Sequence, residues 1–444
     1  VIEISPELAT VVMFSGLLLL VLTGYPMGLI LIILGTTFGF LLLGPGVFEL
    51  FRYRSYNLLA SFIFMAVPLF VFMGAMVESS GVAEKLFNAL YILTGKFRGG
   101  LAIGTIMLGT ILAACVGVIA ASVVTMGLLA MPTMIKKGYD RAFAAGAVCA
   151  GGSLGILIPP SVMLVVYGPT AGLSVGKLFM AAFPAGLLLS LLYVAYVGIR
   201  AFLQKGIAPA VPLSELSATT KEKLMMIPTS LLPPLVLMLA VLGSIFFGVA
   251  SPTEAAGVGA LASALLAVAY RQFNMRVLND AMLTTMRTTC MVMIIGLGAG
   301  IFTGVFDAAG GVEVVSHAIM SAPFGRWGAF AIIMLIVFIL GMFIDWLGIV
   351  FLMVPIATPI GAELGFDPLW FAMMIIVNFQ MSFITPPFAY AIFYLKGIAK
   401  PEWNLTTQDI IRGVLPYVGL ITLALGLCIA FPQILLWLPA QMVS

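Results

Sequence analysis

Residues 151–161 read GGSLGILIPPS. They sit inside a long apolar run, residues 142–168, where a transmembrane helix is expected. The stretch forbids a regular one. Pro159 and Pro160 offer no N–H, and their rings clash with the preceding turn. Ile158 is pushed toward extended geometry, and Gly151, Gly152 and Gly155 make unwinding cheap. Non-helical backbone survives at membrane depth only when buried in protein or lining a watery cavity. The stretch therefore reads as a broken transmembrane helix with free carbonyls and N–H groups at the break. The alternative is a simple proline kink.

Residues 378–397, NFQMSFITPPFAYAIFYLKG, echo it: Pro386 and Pro387 lie 227 positions after Pro159 and Pro160. The same offset pairs Met126 with Met353, Pro132 with Pro359, Gly138 with Gly365, Asp140 with Asp367 and Tyr167 with Tyr394. Nearby offsets pair Gly74 with Gly304, Gly81 with Gly311 and Arg98 with Arg326. The chain reads as a duplicated unit with one broken helix per copy. Paired, Gly/Pro-interrupted segments in corresponding halves are the best sequence pointer to a transporter's binding site.

Composition fixes the class. Hydrophobic residues make up 62% of the chain and charged residues 8%, with a mean hydropathy of +1.21. No soluble globular domain has this composition, and many runs exceed the ~20 residues that cross a bilayer. An all-α polytopic membrane protein is expected. Cys115, Cys149, Cys290 and Cys428 sit in separate apolar runs and read as packing residues, not as a metal or disulfide set. No cleavable signal peptide and no phosphate-binding loop are evident. An intramembrane hydrolase would need paired acids, a Ser–Lys pair or a His-rich cluster. None is found, so no enzyme is expected.

In order, residues 1–80 read as N-terminal scaffold helices. Runs 8–24 and 26–44 meet at Gly24-Tyr25-Pro26 and read as two crossings or one long bent one; a further span covers 58–77. Residues 81–177 form the first transport repeat, with a hairpin at 99–135 and the broken helix at 140–168. Its opening segment, 81–97, reads as an interfacial amphipathic helix or a plain connector. The 37 apolar residues of 99–135 are too many for one helix of moderate tilt and too few for two full spans and a turn. A re-entrant hairpin fits. Residues 178–287 hold scaffold helices and a Pro/Ser/Thr-rich linker at 204–222, with Lys205, Lys221 and, just beyond it, Lys223. Ser251-Pro252-Thr253-Glu254 reads as a capped helix start, or Glu254 as a buried functional acid. Residues 288–400 form the second repeat, with a scaffold helix at 288–306, a hairpin at 327–364 and a broken helix at 367–395; residues 401–444 carry the C-terminal helix.

Five crossings separate the two hairpin bases, so the bases fall on opposite sides and the repeats are inverted. With the first base in the cytoplasm, sixteen of the twenty Lys and Arg residues lie inside. Only Arg52, Arg54, Lys177 and Arg326 lie outside, a strong positive-inside bias.

Two hairpin tips and two broken helices related by inversion should converge near the midplane. Half-helix N-termini favour anions, while unwound carbonyls and half-helix C-termini favour cations. Candidate sodium ligands are backbone at Gly151, Gly155, Gly341 and Pro386, the hydroxyls of Ser122 and Thr385, and the carboxylate of Asp345. Asp345 is the one acid in a hairpin tip, which marks it as a cation ligand or as a helix cap. Candidate substrate contacts are Gly152, Ser153, Pro159, Ser161, Asn378 and Gln380. The two amides read alternatively as bonds to a neighbouring helix.

These motifs, with Tyr167-Gly168 and SPTEAAGVGAL at 251–261, resemble the large membrane subunit of tripartite ATP-independent periplasmic (TRAP) transporters. The likeness covers nearly the whole chain. It implies an elevator-type, sodium-coupled importer in a bacterial inner membrane, with Na+ at two or more sites. It also implies two protein partners, a separate small four-span membrane subunit and a periplasmic substrate-binding protein. The latter hands over an organic acid bearing a carboxylate or sulfonate. The first hairpin tip, AACVGVIAASV at 113–123, is poorer in Ser and Gly than the family pattern. The alternative is a single-component sodium/dicarboxylate-type elevator carrier, which transports without a binding protein.

Overall fold

The computed structural model describes residues 4–216, 222 and 225–443. The linker lysines Lys221 and Lys223 lie outside the described residues. The described residues form helices and no strand, and nine of the helices are long and apolar enough to cross a membrane.

Helices α1 (Pro6–Val21) and α2 (Met27–Leu43) are separate and antiparallel, which resolves the reading of the first apolar block. Both pack on α13 (Met275–Ala308). Phe14 of α1 meets Phe302 and Phe306, and Pro6 meets Gly310. Along α2, Gly28 faces Ile294, Gly35 faces Ile301 and Gly39 faces Val305. A Cβ on Gly28 would lie 3.0 Å from the Ile294 carbonyl, so glycine sets the α2–α13 spacing. After a 3-10 turn at Gly44–Gly46, the chain returns along α13 as α3 (Val47–Ala60). This helix begins eleven residues before the span expected from Leu58. Glu49, Arg52 and Arg54 interrupt the apolar run but stay exposed on it, with Arg52 paired to Glu49 at 2.7 Å. A 3-10 turn at Phe62–Met65 leads into α4 (Ala66–Ser79).

Helix α5 (Val82–Thr94) buries Val82, Leu86, Phe87 and Leu90 and exposes Glu84, Lys85 and Asn88. The segment is thus an amphipathic helix, not a connector. The first hairpin is α6 (Gly100–Val116) and α7 (Ile119–Lys136), turning at Gly117, whose φ is +66°. The broken helix follows as α8 (Arg141–Ser153), a 3-10 turn at Leu154–Ile156, and α9 (Val162–Ala171). Every residue from 143 to 168 is buried, as backbone interrupted at membrane depth requires. Next come α10 (Val175–Leu203), α11 (Leu232–Phe246) and α12 (Pro252–Ala269). Ser251 and Glu254 form a full capping box on α12, the bland reading of that acid.

After α13 and the short α14 (Gly311–Met320), the second hairpin is α15 (Gly325–Gly341) and α16 (Trp346–Glu363). The second broken helix is α17 (Pro368–Ile384) and α18 (Tyr390–Ile398), and α19 (Thr407–Ala430) and α20 (Gln433–Ala440) close the chain. Local features recur at the 227-residue offset read from the sequence. Left-handed Gly138 and Gly365 (φ +77° and +73°) end α7 and α16. Asp140 and Asp367 then cap the next helices through the N–H groups of Phe143 and Trp370, at 2.8 and 2.9 Å. The Pro159-Pro160 and Pro386-Pro387 bonds at the two breaks are both cis.

The two halves exchange partners. Helix α8 packs on α19 and α17 on α10; α9 packs on α16 and α18 on α7. Where α8 meets α19, Gly146 and Gly413 bring the backbones into direct contact.

Candidate transport cavity

A cavity of about 550 Å3 lies where these elements meet. One wall comes from the hairpin tips, through residues 118–120 and 343–346. Another comes from the second halves of the broken helices, through Val162, Phe388, Tyr390 and Tyr394. The third is scaffold: the α1–α2 turn at residues 24–28, and Thr288, Met291, Ile294 and Ile295 of α13.

Four helices of the two repeats start at this cavity, and α2 starts there as well, at Met27. Ile119, Val162, Trp346 and Tyr390 are the first residues of α7, α9, α16 and α18, and all four line it. The N-terminal turns of α7, α9 and α18 have no side-chain cap. Each helix start carries unpaired N–H groups and the positive end of a helix dipole. Among the described residues that line the cavity, Asp345 is the only charged one, and no Lys, Arg or His is present. Asp345 is also the cap of α16, accepting the Leu347 N–H at 3.4 Å. The helix-cap reading of Asp345 is the one its hydrogen bond shows.

The other candidate residues lie behind these walls. Ser122 Oγ is buried with no hydrogen-bond partner, and Gly155 faces it. A Cβ on Gly155 would lie 3.0 Å from Ser122 Oγ and 3.4 Å from the Val118 carbonyl. In the second half Gly341 lies against Ser382, whose hydroxyl donates to the Phe338 carbonyl at 3.2 Å. Gly151 packs on Gly109 and Met126, and Gly152 packs on Val123. Ser153 Oγ donates to the Ala150 carbonyl at 2.9 Å, and Ser161 Oγ reaches back across the break to the Ile156 carbonyl at 2.6 Å. Pro159 is buried between them in sequence. Thr385 Oγ1 donates to the Met381 carbonyl at 2.7 Å, and Pro386 lines a separate small groove. Asn378 Nδ2 donates to the Met334 carbonyl of α15 at 2.7 Å, the neighbouring-helix reading. Both side-chain polar atoms of Gln380 are buried and unbonded. Of the thirteen candidates, only Asp345 lines the cavity.

Sequence reasoning missed the aromatic wall of Phe343, Trp346, Phe388, Tyr390 and Tyr394. The signal was present as the FAYAIFY run after Pro387. Among the described residues no group of three or more His, Cys, Asp or Glu is placed to hold a metal ion. Oxygen donors for a cation here are mainly hydroxyls and carbonyls.

The chain is similar along its length to known proteins. The family described as "Tripartite ATP-independent periplasmic transporter, DctM component" matches residues 14–434. The C4-dicarboxylate TRAP transporter large permease protein DctM of Pseudomonas aeruginosa is 32% identical over 401 residues, covering 90% of this chain and 91% of the relative. The ectoine/5-hydroxyectoine TRAP transporter large permease protein UehC of Ruegeria pomeroyi is 31% identical, covering 96% and 97%. Among solved structures, the YdaH transporter of Alcanivorax borkumensis superposes with a TM-score of 0.64 at 15% identity, covering 95% of this chain and 99% of that one. That likeness shows the fold alone. The chain belongs to the tripartite ATP-independent periplasmic transporter family as its large membrane subunit, a multi-pass protein of the bacterial inner membrane.

Proposed function

We propose that this subunit moves an organic acid inward through the cavity, driven by a sodium gradient, after a periplasmic protein has handed the acid over. The observation that carries the reading is the convergence of four helix N-termini on one cavity without a cationic side chain. Unpaired N–H groups and aligned dipoles attract an anion, and transporters use half-helix N-termini in this way. Sodium is assigned behind the cavity, where the break after α8 meets the first turn of α7 and where the end of α15 meets α17. One position is at Ser122, Gly155 and the Val118 carbonyl, and an equivalent one is near Gly341 and Ser382. Asp345 completes the cation environment from the cavity side.

The partner exchange between halves supports an inverted duplication, with hairpins and broken helices as the moving body. The α1–α2 turn and α13 supply the fixed wall. With the first hairpin base in the cytoplasm, the α1–α2 turn that lines the cavity at residues 24–28 lies toward the cytoplasm, so an inward-facing arrangement follows. Family members of this kind work with a periplasmic binding protein and a small membrane subunit.

The test is reconstitution with the small subunit in liposomes, under an inward sodium gradient, with labelled acid. Uptake is expected only when sodium and the cognate binding protein are both present. Saturable uptake of free acid without that protein would favour the single-component carrier.

A further inference from the structure

Resting on the reading that this cavity receives the transported acid, we propose that the acid has a single acidic group and a ring-sized apolar body. C4-dicarboxylates and polyhydroxylated acids are then poor ligands. The argument lies in what the walls offer beyond the four helix starts.

The second hairpin tip, the break at Phe388 and the start of α18 supply five aromatic rings to one side of the cavity. Phe343 and Phe388 meet edge-on at 6.2 Å, and Tyr390 and Tyr394 lie 6.4 Å apart at 35°. Ile294 and Met291 of α13 face the same space. A flat or branched hydrocarbon body fits such walls, and at about 550 Å3 the space holds it with water to spare. Aromatic faces carry the negative part of the ring quadrupole, so they repel a second carboxylate. Beyond the helix starts a second carboxylate meets these faces and Asp345, with no basic side chain to receive it. A polyhydroxylated acid needs a hydrogen-bond partner for nearly every hydroxyl it buries. The side chains offer only Asp345, Thr288, Trp346 and tyrosine hydroxyls. One acid group at the helix starts and an apolar body on the rings is the complement of this surface.

The test is equilibrium binding to the large subunit with its small partner in lipid nanodiscs, in sodium buffer. The probes are phenylacetate, succinate and gluconate. Phenylacetate is expected to bind about ten-fold tighter than either of the others, from burial of its ring. It should also quench tryptophan fluorescence, and Trp346→Phe should remove the quench while leaving binding measurable. Phe388→Ala should weaken phenylacetate and leave succinate unchanged. Succinate or gluconate binding as tightly as phenylacetate overturns this inference and leaves the organic-acid reading standing. Binding of none of the three to a folded, monodisperse complex overturns both. Phenylacetate binding with an unchanged quench in Trp346→Phe places the ligand elsewhere and also overturns the inference.

Discussion

Gly155→Ala is the sharpest perturbation of the proposed first cation position. Gly155 sits in a right-handed 3-10 turn, so alanine suits the backbone there. Loss of unfolded-state freedom contributes about 0.4–1 kcal/mol in favour of folding at such sites. The new methyl would lie 3.0 Å from Ser122 Oγ and 3.4 Å from the Val118 carbonyl. Ser122 Oγ has no hydrogen-bond partner, so it can rotate away by the few tenths of an ångström required. Stability should therefore be nearly unchanged. A cation held between that hydroxyl, that carbonyl and the break would instead lose its space. Loss of one oxygen donor among a handful should raise the half-saturating sodium concentration about ten-fold, or about 1.4 kcal/mol. The assay is sodium-dependent uptake in liposomes, with thermal stability measured in parallel. Gly152→Ala is the control. Its Cβ would strike Val123, with the Val123 backbone at 3.0 Å, so it should lower stability without a selective effect on sodium. Wild-type sodium dependence in folded Gly155→Ala would refute the assignment of a cation to this position.

Three further outcomes are expected. Asp345→Asn should weaken or abolish sodium-dependent uptake without loss of folded protein, because the amide can still accept the Leu347 N–H; normal sodium dependence would remove Asp345 from the cation environment. Single cysteines at Lys137 and Glu363 should label from opposite sides with an impermeant maleimide, and same-side labelling would end the inverted topology. Only Cys290 of the native cysteines is exposed, so it is the one whose replacement matters most for background. Gly413→Ala should cost about 1–3 kcal/mol by forced separation of α8 and α19, read as a fall in melting temperature, since its Cβ would collide with the Ala142 carbonyl and lie 2.9 Å from the Gly146 nitrogen.

The fold was legible where chain chemistry forbids a regular helix. Pro159-Pro160 and Pro386-Pro387 each interrupt a helix, and the 227-residue offset also locates Gly138 and Gly365 as terminators and Asp140 and Asp367 as caps. Helix α3 was less legible. Glu49, Arg52 and Arg54 look like a loop in an apolar run, yet the helix carries Glu49 and Arg52 on its exposed side and lays the Arg54 stem with Leu50 and Leu58 along Gly300, Gly304 and Gly296. The α1–α2 turn shows another limit. Nothing local to Gly24-Tyr25-Pro26 says that it will face Asp345 across a cavity, because that meeting depends on packing against α13. The offset itself also misleads at the site. It equates Tyr167 with Tyr394, yet Tyr167 is fully buried and Tyr394 lines the cavity.

The site was half legible for a reason rooted in helix direction. Two hairpins and two broken helices leave four helix ends and four helix starts at mid-depth. A sequence marks where each break falls, and both sides of a break look alike in glycine, serine and proline. The candidates chosen on the early side of each break, such as Gly151, Ser153 and Gly341, belong to helix ends. None of the last residues Val116, Ser153, Gly341 and Ile384 lines the cavity, whereas the first residues Ile119, Val162, Trp346 and Tyr390 all do. Helix ends carry carbonyls and negative dipole ends; helix starts carry N–H groups and positive ones. The same four interruptions thus separate two kinds of site without a basic side chain. The starts converge on the cavity assigned to the acid. The ends face the Ser122–Gly155 and Gly341–Ser382 positions assigned to sodium. On that proposal, sodium loaded at the ends would bring positive charge beside the cavity, and binding of the acid and of the cation would reinforce each other electrostatically, which is the coupling a symporter requires.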